Sequence, residues 1–363
     1  MNVPRVFQFH SGSAVGDAVT NSLLYVHEIL SDYGIEAKIF VEHRDPRLSD
    51  RLSLIGEFRP RSDDLLLIHH SMGHDIMPFL RALPCRKILI YHNVTPPSFF
   101  DQDPVTRKYA TKGLQQVEEL RKFVAGAVAV SGFNAEELRR RGYDDPVVIP
   151  LLRDFTSIRF ADFNPAMHYF EAPRYQVLFV GRISANKGQL HLINFLDQYR
   201  DTFEYPLYLT LVGYIKEGDP YASELLKTVE RAGLRDQVSI PGHLSEKDLY
   251  GHFRAADAYV SFSEHEGFGV PLLEAMAFDV PVVAFEAGAI ADTLGGSGIK
   301  LKTTEPHELA EQLHRIFSNR SHRREVIRGQ RKRLMDFERG AIGAKLIEFL
   351  GPHLPTSAVA RAP

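Results

Sequence analysis

Short apolar runs recur along the chain. Each is followed by a polar turn and then by a longer stretch whose apolar positions return every three or four residues. Runs at 6–9, 35–41, 65–69, 87–91, 126–130 and 147–150 read as strands in the first half. Those at 175–180, 207–212, 238–240, 258–263 and 282–285 read as strands in the second. Their near-continuous apolar character suits parallel sheet covered on both faces, where strict alternation is lost. The helical period predicts helices near 18–33, 106–123, 131–141, 221–232, 249–255, 306–319, 323–335 and 343–350. Gly34 and Gly142 sit where a helix would close on glycine. Strand and helix alternating in this way predict an α/β chain. Residues 151–173 show no period and read as a connection. The expected division is a first domain of 1–160 joined by a returning C-terminal segment 337–363, and a second domain of 161–336, with a disordered tail after Pro352.

Composition narrows the class without naming it. At 363 residues the chain is long enough for two domains, and 44% hydrophobic with 25% charged residues is ordinary for a globular protein. A net charge of −3 carries no global basic field, so no nucleic-acid partner is expected. The single Cys85 excludes an intrachain disulfide and fits a reducing compartment. No apolar run approaches the roughly 18–20 residues of a membrane span, and the first residues lack the layout of a signal peptide. The expected location is the cytoplasm. The basic run in 323–335 reads as a solvated helix face, with peripheral contact to anionic lipid at the inner face of the cell membrane as the alternative.

The chemistry concentrates in 264–285, EHEGFGVPLLEAMAFDVPVVAF. Glu266 lies in a loop with Gly267, Phe268, Gly269 and Val270, and Glu274 lies in the helix that follows. Glycines there let the chain turn sharply and let a ligand approach the backbone, and Pro271 suits a helix start. A helix N-terminus offers N–H groups and partial positive charge to an anion. A carboxylate among Leu272, Leu273, Ala275 and Met276 needs hydrogen-bond donors if buried, and sugar hydroxyls could supply them. A second candidate follows the strand at 175–180. There GRISANKGQLHL places Arg182 and Lys187 in a glycine turn before a helix, where two cations can neutralise a diphosphate. The first-domain loop after residue 9 has Gly12 and Gly16 but matches neither a dinucleotide fingerprint nor a Walker sequence. Two strands end in histidine, at His69-His70 and at His92, and ligands collect beyond such strand ends in open parallel sheets. Asp101 and Asp103 form an Asp-x-Asp that reads as a helix cap, and no metal site is expected.

Glu266 and Glu274 with Gly-Phe-Gly and proline between them, followed by Pro-Val-Val, resemble the signature of the family 4 glycosyltransferases. These are retaining, nucleotide-sugar-dependent enzymes. The resemblance implies the GT-B fold: two Rossmann-like domains facing across a cleft, with the last helix crossing back to the first. It casts Gly181, Arg182, Lys187 and Gly188 as the phosphate motif and His243 and Leu244 as contacts to the nucleotide base. Glu274 would take the ribose diol and Glu266 the hydroxyls of the transferred sugar. His92 matches the family's first-domain histidine on that sugar, with His69 and His70 on the acceptor side. Gly16-Asp17-Ala18 looks like a variant of the family's glycine turn, although Asp17 reads equally as a helix N-cap. Catalysis is thus expected from Glu266, His92, Arg182 and Lys187, with no cofactor beyond the co-substrate. The pattern around His92, YHNVTPP, resembles bacterial polysaccharide mannosyltransferases. That implies GDP-mannose as donor, a UDP-sugar as the alternative, and a glycan or lipid-linked glycan as acceptor. A dehydrogenase or epimerase would need a dinucleotide motif that is absent; a catalytically silent nucleotide-sugar-binding subunit remains the other alternative.

Overall fold

The computed structural model describes residues 5–151, 153–165 and 173–354. The expected tail after Pro352 therefore falls largely outside the described residues, as does part of the expected connection. Two compact units emerge: Met1–Asp154 with Phe337–Pro363, and Phe155–Asp336. The second begins earlier than residue 161 for a packing reason. The short helix Phe155–Ile158 buries Phe155 and Ile158 and packs on the helix Val270–Ala277. Asn164 is then bound to the Lys247 carbonyl and to Asp248.

In the first unit the strands are β1 (Arg5–Gly12), β2 (Glu36–His43), β3 (Ser53–Leu54), β4 (Leu65–His70), β5 (Arg86–Tyr91), β6 (Ala127–Ala129) and β7 (Val147–Val148). All pair in parallel, in the order β3-β2-β1-β4-β5-β6-β7. Phe7, Phe9, Leu66, Ile68, Leu89 and Tyr91 build the core with Val117 and Leu120 of the helix Pro104–Leu120. In the second unit the strands are β8 (Tyr175–Val180), β9 (Leu207–Val212), β10 (Val238–Gly242), β11 (Ala258–Ser261), β12 (Val282–Phe285) and β13 (Ile299–Leu301). They too pair in parallel, in the order β10-β9-β8-β11-β12-β13, around a core that includes Phe179, Leu211, Val260, Phe262 and Val283. Each sheet reverses direction once, between β1 and β4 and between β8 and β11. Connections there leave toward opposite faces and open a crevice at the strands' carboxyl ends.

Helix boundaries follow capping chemistry more closely than apolar periodicity. The helices Ala18–Asp32, Pro104–Leu120, Gly132–Arg140, Pro220–Arg231, Glu246–Ala255 and Arg320–Leu334 start on the side chains of Asp17, Asp103, Ser131, Asp219, Ser245 and Asn319. Each satisfies amide groups that would otherwise be orphaned. This is why three of these helices begin two or three residues before the apolar pattern does. Gly34 closes the first helix with φ 69°, its N–H reaching the Ser31 carbonyl while Ile35 N–H reaches Leu30. Asp279 adopts a similar left-handed conformation, φ 60°, after Val270–Ala277, and two bonds of 2.6 Å from Arg331 hold its carboxylate. The last helix, Arg339–Leu350, belongs to the first unit. It buries Ile342, Leu346 and Leu350, sets Gly343 beside Ile29 and Tyr33, and pairs Arg339 with Glu28 and Asp32.

Arg320–Leu334 is fastened to β12 by one buried side chain. Gln330 accepts the Val282 N–H at 2.9 Å and donates to the Val280 carbonyl at 2.8 Å, as a neighbouring strand would. Gln330→Leu should strip both backbone groups of their partners in a site closed to water. We expect a loss of about 2–3 kcal/mol in the stability of the second unit, read from the urea midpoint of that unit's transition.

Candidate functional site

Two strand-end clusters collect the residues singled out in sequence, one in each unit. In the second unit, β8 ends at Val180 and the chain turns through Gly181 and Arg182. Gly213, at the end of β9, passes so close that a Cβ would stand 1.9 Å from the Gly181 carbonyl oxygen, so only glycine fits. The turn continues through Ala185–Lys187 to Gly188, φ 66°, where a Cβ would meet the Phe262 carbonyl at 2.3 Å. Glu264 N–H bonds the Asn186 carbonyl at 2.9 Å, tying the loop after β8 to the loop after β11. Across that tie Lys187 Nζ meets Glu266 Oε1 at 2.5 Å. Arg182 is exposed, and its guanidinium makes no hydrogen bond or ion pair among the described residues.

Glu266 is held from behind as well. Its carbonyl accepts the Ala289 N–H, and Gly288 lies so near that a Cβ would come within 2.5 Å of that oxygen. Phe268 is buried, and its carbonyl accepts the Thr293 hydroxyl. Of the two loop glycines only Gly269 needs glycine's freedom. It sits at φ 89° as the N-cap of Val270–Ala277 and, being glycine, brings no capping side chain of its own. Pro271 occupies its first turn. Glu274 is buried at 5% exposure on this helix. Tyr259, buried at the middle of the cluster, gives its hydroxyl to the Val180 carbonyl at 3.2 Å. Burial first, and then the charges of Glu266 and Glu274, push its phenol well above the usual range.

The helix after Lys187, Gln189–Tyr199, does not offer an open N-terminus. The Tyr221 hydroxyl accepts the Leu190 N–H at 3.1 Å, and the Gly188 carbonyl accepts the His191 N–H at 3.0 Å. What this turn presents to solvent is therefore Arg182 and the ion-paired Lys187, and the open helix start is that of Val270–Ala277. His243, exposed, and Leu244 follow β10 at the far end of the same edge, before Ser245 caps the next helix. The Gly242 carbonyl there accepts the Gly213 N–H.

In the first unit the strand ends gather histidines. His69 and His70 are neighbours on β4, so their side chains take opposite faces of the sheet. His69 stacks on His92, with ring centroids 5.1 Å apart and Nδ1 2.9 Å from His92 Nε2. His70 goes the other way. Its Nε2 donates to the Gly113 carbonyl at 2.9 Å, so it anchors the helix Pro104–Leu120 from a buried position. Asn93, at φ 78°, makes the turn that presents His92, and its amide bonds Asn134 and Glu137. Two further members were not singled out in sequence. His10, last in the alternation Phe7-Gln8-Phe9-His10, bonds Ser71 Oγ at 3.0 Å and the Gly12 carbonyl at 2.7 Å. Its position at the end of β1, beside the reversal point, was the available signal. His74 packs edge-on to Phe9, and neither of its ring nitrogens finds a partner among the described residues.

Asp17 is a cap: its carboxylate accepts the Thr20 N–H at 2.9 Å and the Thr20 hydroxyl at 3.1 Å. Gly16, φ 82°, makes the bend before it. Asp45 stitches this loop to the one after β2 by accepting the Val15 N–H, while its own N–H bonds Ser13 Oγ. An open depression of about 520 Å³ lies there, lined by Ser13, His43, Arg44, Asp45, Pro46 and Arg47. Asp103 also caps a helix and Asp101 pairs with Arg107, so the Asp-x-Asp is committed to local structure.

Comparison with known proteins gives this arrangement a class. Residues 162–333 match the family model described as "Glycosyl transferases group 1". The chain is 43% identical over 77 residues to the lipopolysaccharide core biosynthesis mannosyltransferase LpsB of Rhizobium meliloti, covering 21% of this chain and 21% of that protein. It is 27% identical over 226 residues to O-antigen chain mannosyltransferase B of Escherichia coli, covering 59% of this chain and 56% of that one. These matches thus span between about a fifth and just over half of the relatives' lengths. Among solved structures, Anabaena Alr3699/HepE in complex with UDP-glucose superposes with TM-score 0.72 at 19% identity, over 96% of this chain and 99% of that one. That likeness identifies the fold as GT-B, α/β with two parallel-sheet Rossmann-like units.

The histidine nest makes the first unit sensitive to acid. Burial, with the charges of neighbouring histidines adding, takes His92 and His74 down to about 3 and His70 to about 4 and lowers His69; burial also lowers His10, against the Gly12 carbonyl and the Asp17 charge. The unfolded chain takes up protons near pH 6.5, before the folded one does. The stabilisation is complete above that pH and is lost as pH falls toward 4 and 3. Replacing His74 by Phe removes one of these protons. It should lessen the pH slope of stability between pH 6 and 4 by about 1.4 kcal/mol per pH unit, measured by urea unfolding across that range.

Proposed function

We propose that the protein is a glycosyltransferase whose second unit binds a nucleoside-diphosphate sugar at the β8/β11 reversal. The observation that carries this reading is the pairing of Lys187 with Glu266, beside the unpaired Arg182, within the segment that matches the glycosyltransferase model. A diphosphate leaving group needs positive charge where negative charge develops, and Arg182 and Lys187 supply it from a turn held by backbone contacts. Glu266, its carboxylate oriented by Lys187 and its backbone by Ala289, accepts hydrogen bonds from hydroxyls of the transferred sugar. Glu274 takes the ribose diol, Val270–Ala277 points its uncapped start at the phosphates, and the segment around His243 and Leu244 holds the base. In the first unit His92, oriented by His69, bonds sugar hydroxyls as a neutral imidazole. The loops after β1 and β2 are its acceptor surface.

The anomeric configuration is retained. The leaving phosphate assists attack by the acceptor hydroxyl on the same face, because no carboxylate is assigned as nucleophile. Our preferred donor is GDP-mannose, supported by the mannosyltransferases among the relatives. A UDP-sugar is the second reading, supported by the UDP-glucose complex of the structurally similar HepE. The acceptor is a glycan or lipid-linked glycan of surface polysaccharide synthesis, and the reaction proceeds without a metal ion.

Two experiments test this. Arg182→Ala removes an exposed side chain with no partner among the described residues, so melting should be unchanged. Nucleoside-diphosphate affinity should fall about 10- to 100-fold, the worth of a charged hydrogen bond. Unaltered affinity by calorimetry would remove the phosphate assignment. A thermal-shift panel of GDP, UDP, ADP and their sugars, run with EDTA throughout, addresses donor and metal together. The correct nucleotide at 100 times its Kd should add about 2.7 kcal/mol. Stabilisation by UDP alone overturns the mannose reading, and stabilisation only on adding magnesium or manganese overturns metal independence.

A further inference from the structure

The helix Arg320–Leu334 carries a feature that the proposed transfer does not use. Arg320, Arg324, Arg328 and Lys332 follow one another at four-residue spacing, and all four are exposed. Successive members rotate by about 40°, so the series stays within about a third of the helix circumference and runs some 18 Å along it. The opposite side is the buried one, with Val326, Gln330 and Leu334. The helix's other arginines are engaged: Arg323 with the Asp257 carbonyl, Arg331 with Asp279, and Arg333 with Asp336 and the carbonyls of Asp292 and Thr293. Among the described residues none of the four has an ion pair or hydrogen bond to its side chain.

This row does nothing for the helix itself. Like charges at four-residue spacing repel, and no acidic residue occupies the first turn, where the helix dipole disfavours Arg320. The row is nevertheless rigidly presented, because Gln330 locks the helix to β12. Just beyond Lys332 the helical path ends in Met335, a large apolar side chain left 62% exposed. Glu325 is the helix's single acidic residue.

We infer that this helix face docks the protein on an anionic lipid surface. The cations lie against headgroup phosphates, and Met335 enters the boundary between headgroups and acyl chains. A convex row spread over a third of the helix can reach a plane of phosphates through its long side chains. The protein as a whole carries a charge of −3 and an isoelectric point near 6.6, opposite to the balance of a nucleic-acid binder. The inference is independent of the transfer reaction, since none of these residues lies in the nucleotide site.

The test is sedimentation of the full-length protein with vesicles of phosphatidylcholine containing about 30% phosphatidylglycerol, against phosphatidylcholine alone, at about 0.05 and 0.5 M salt. The expected result is binding to the anionic vesicles only, released by high salt. In the triple variant R324Q/R328Q/K332Q that binding should weaken about 100-fold, at roughly fivefold per charge, with melting and the nucleotide-induced thermal shift unchanged. The variant R324K/R328K, which keeps the charges, should bind as the parent does. No binding to anionic vesicles would overturn the inference. So would equal binding by the triple variant, or capture of duplex RNA without vesicle binding.

Discussion

The ion pair between Lys187 and Glu266 joins two loops that topology drives apart. At the reversal of the second sheet the connection after β8 leaves toward one face and the connection after β11 toward the other. Left alone, they would open a gap with no fixed geometry. The backbone tie from Glu264 to Asn186, the seating of Gly188 on the Phe262 carbonyl and the Lys187–Glu266 contact close the base of that gap and leave its mouth polar. Everything assigned to the donor hangs from this closure. Arg182 emerges from the turn held by Gly213, Glu266 is braced by Gly288 and Ala289, and Val270–Ala277 starts from Gly269 at the same rim. A half-buried cation and carboxylate in contact hold each other in one orientation, so the polar groups at this rim are already in place.

The first unit repeats the sheet architecture with a different chemistry at its reversal. Its strand ends carry imidazoles in place of carboxylates and cations: His10 on Ser71 and the Gly12 carbonyl, His69 on His92, His70 on Gly113. Burial disfavours the charged form of each, so all four are lowered toward the neutral imidazole. Neutral imidazoles hydrogen-bond hydroxyls without presenting a fixed charge. The two reversal points thus differ in electrostatics, one carrying a cation and carboxylate in contact and the other buried imidazoles.

Local chemistry made much of this legible. Apolar runs located the longer strands because a strand covered on both faces has little choice of residue. Gly34 and Gly142 announced helix ends, and Asp103 and Ser131 stood at helix starts. The short strands Ser53–Leu54 and Ile299–Leu301 carry too few residues to show a period, and pairing with β2 and β12 alone defines them. The early start of Arg320–Leu334 was hidden because its first turn is polar and is held by Asn319. Phe155–Ile158 could not be assigned to a unit from its own residues, since its membership rests on packing against Val270–Ala277.

Sequence by itself determined the alternation of strand and helix, the α/β class, and which polar side chains stand beyond strand ends, because each of these is a property of a short window. Tertiary structure decided which of those side chains act together. It brought Lys187 onto Glu266 across 79 residues, turned His70 away from His69 onto the Gly113 carbonyl, and closed the start of Gln189–Tyr199 with the Tyr221 hydroxyl. It also converted Gln330 from an ordinary residue of a basic helix into the clamp on β12. The reason is physical: the partner of a buried polar group is set by which strands lie side by side. Strand order arises only when the whole sheet has assembled.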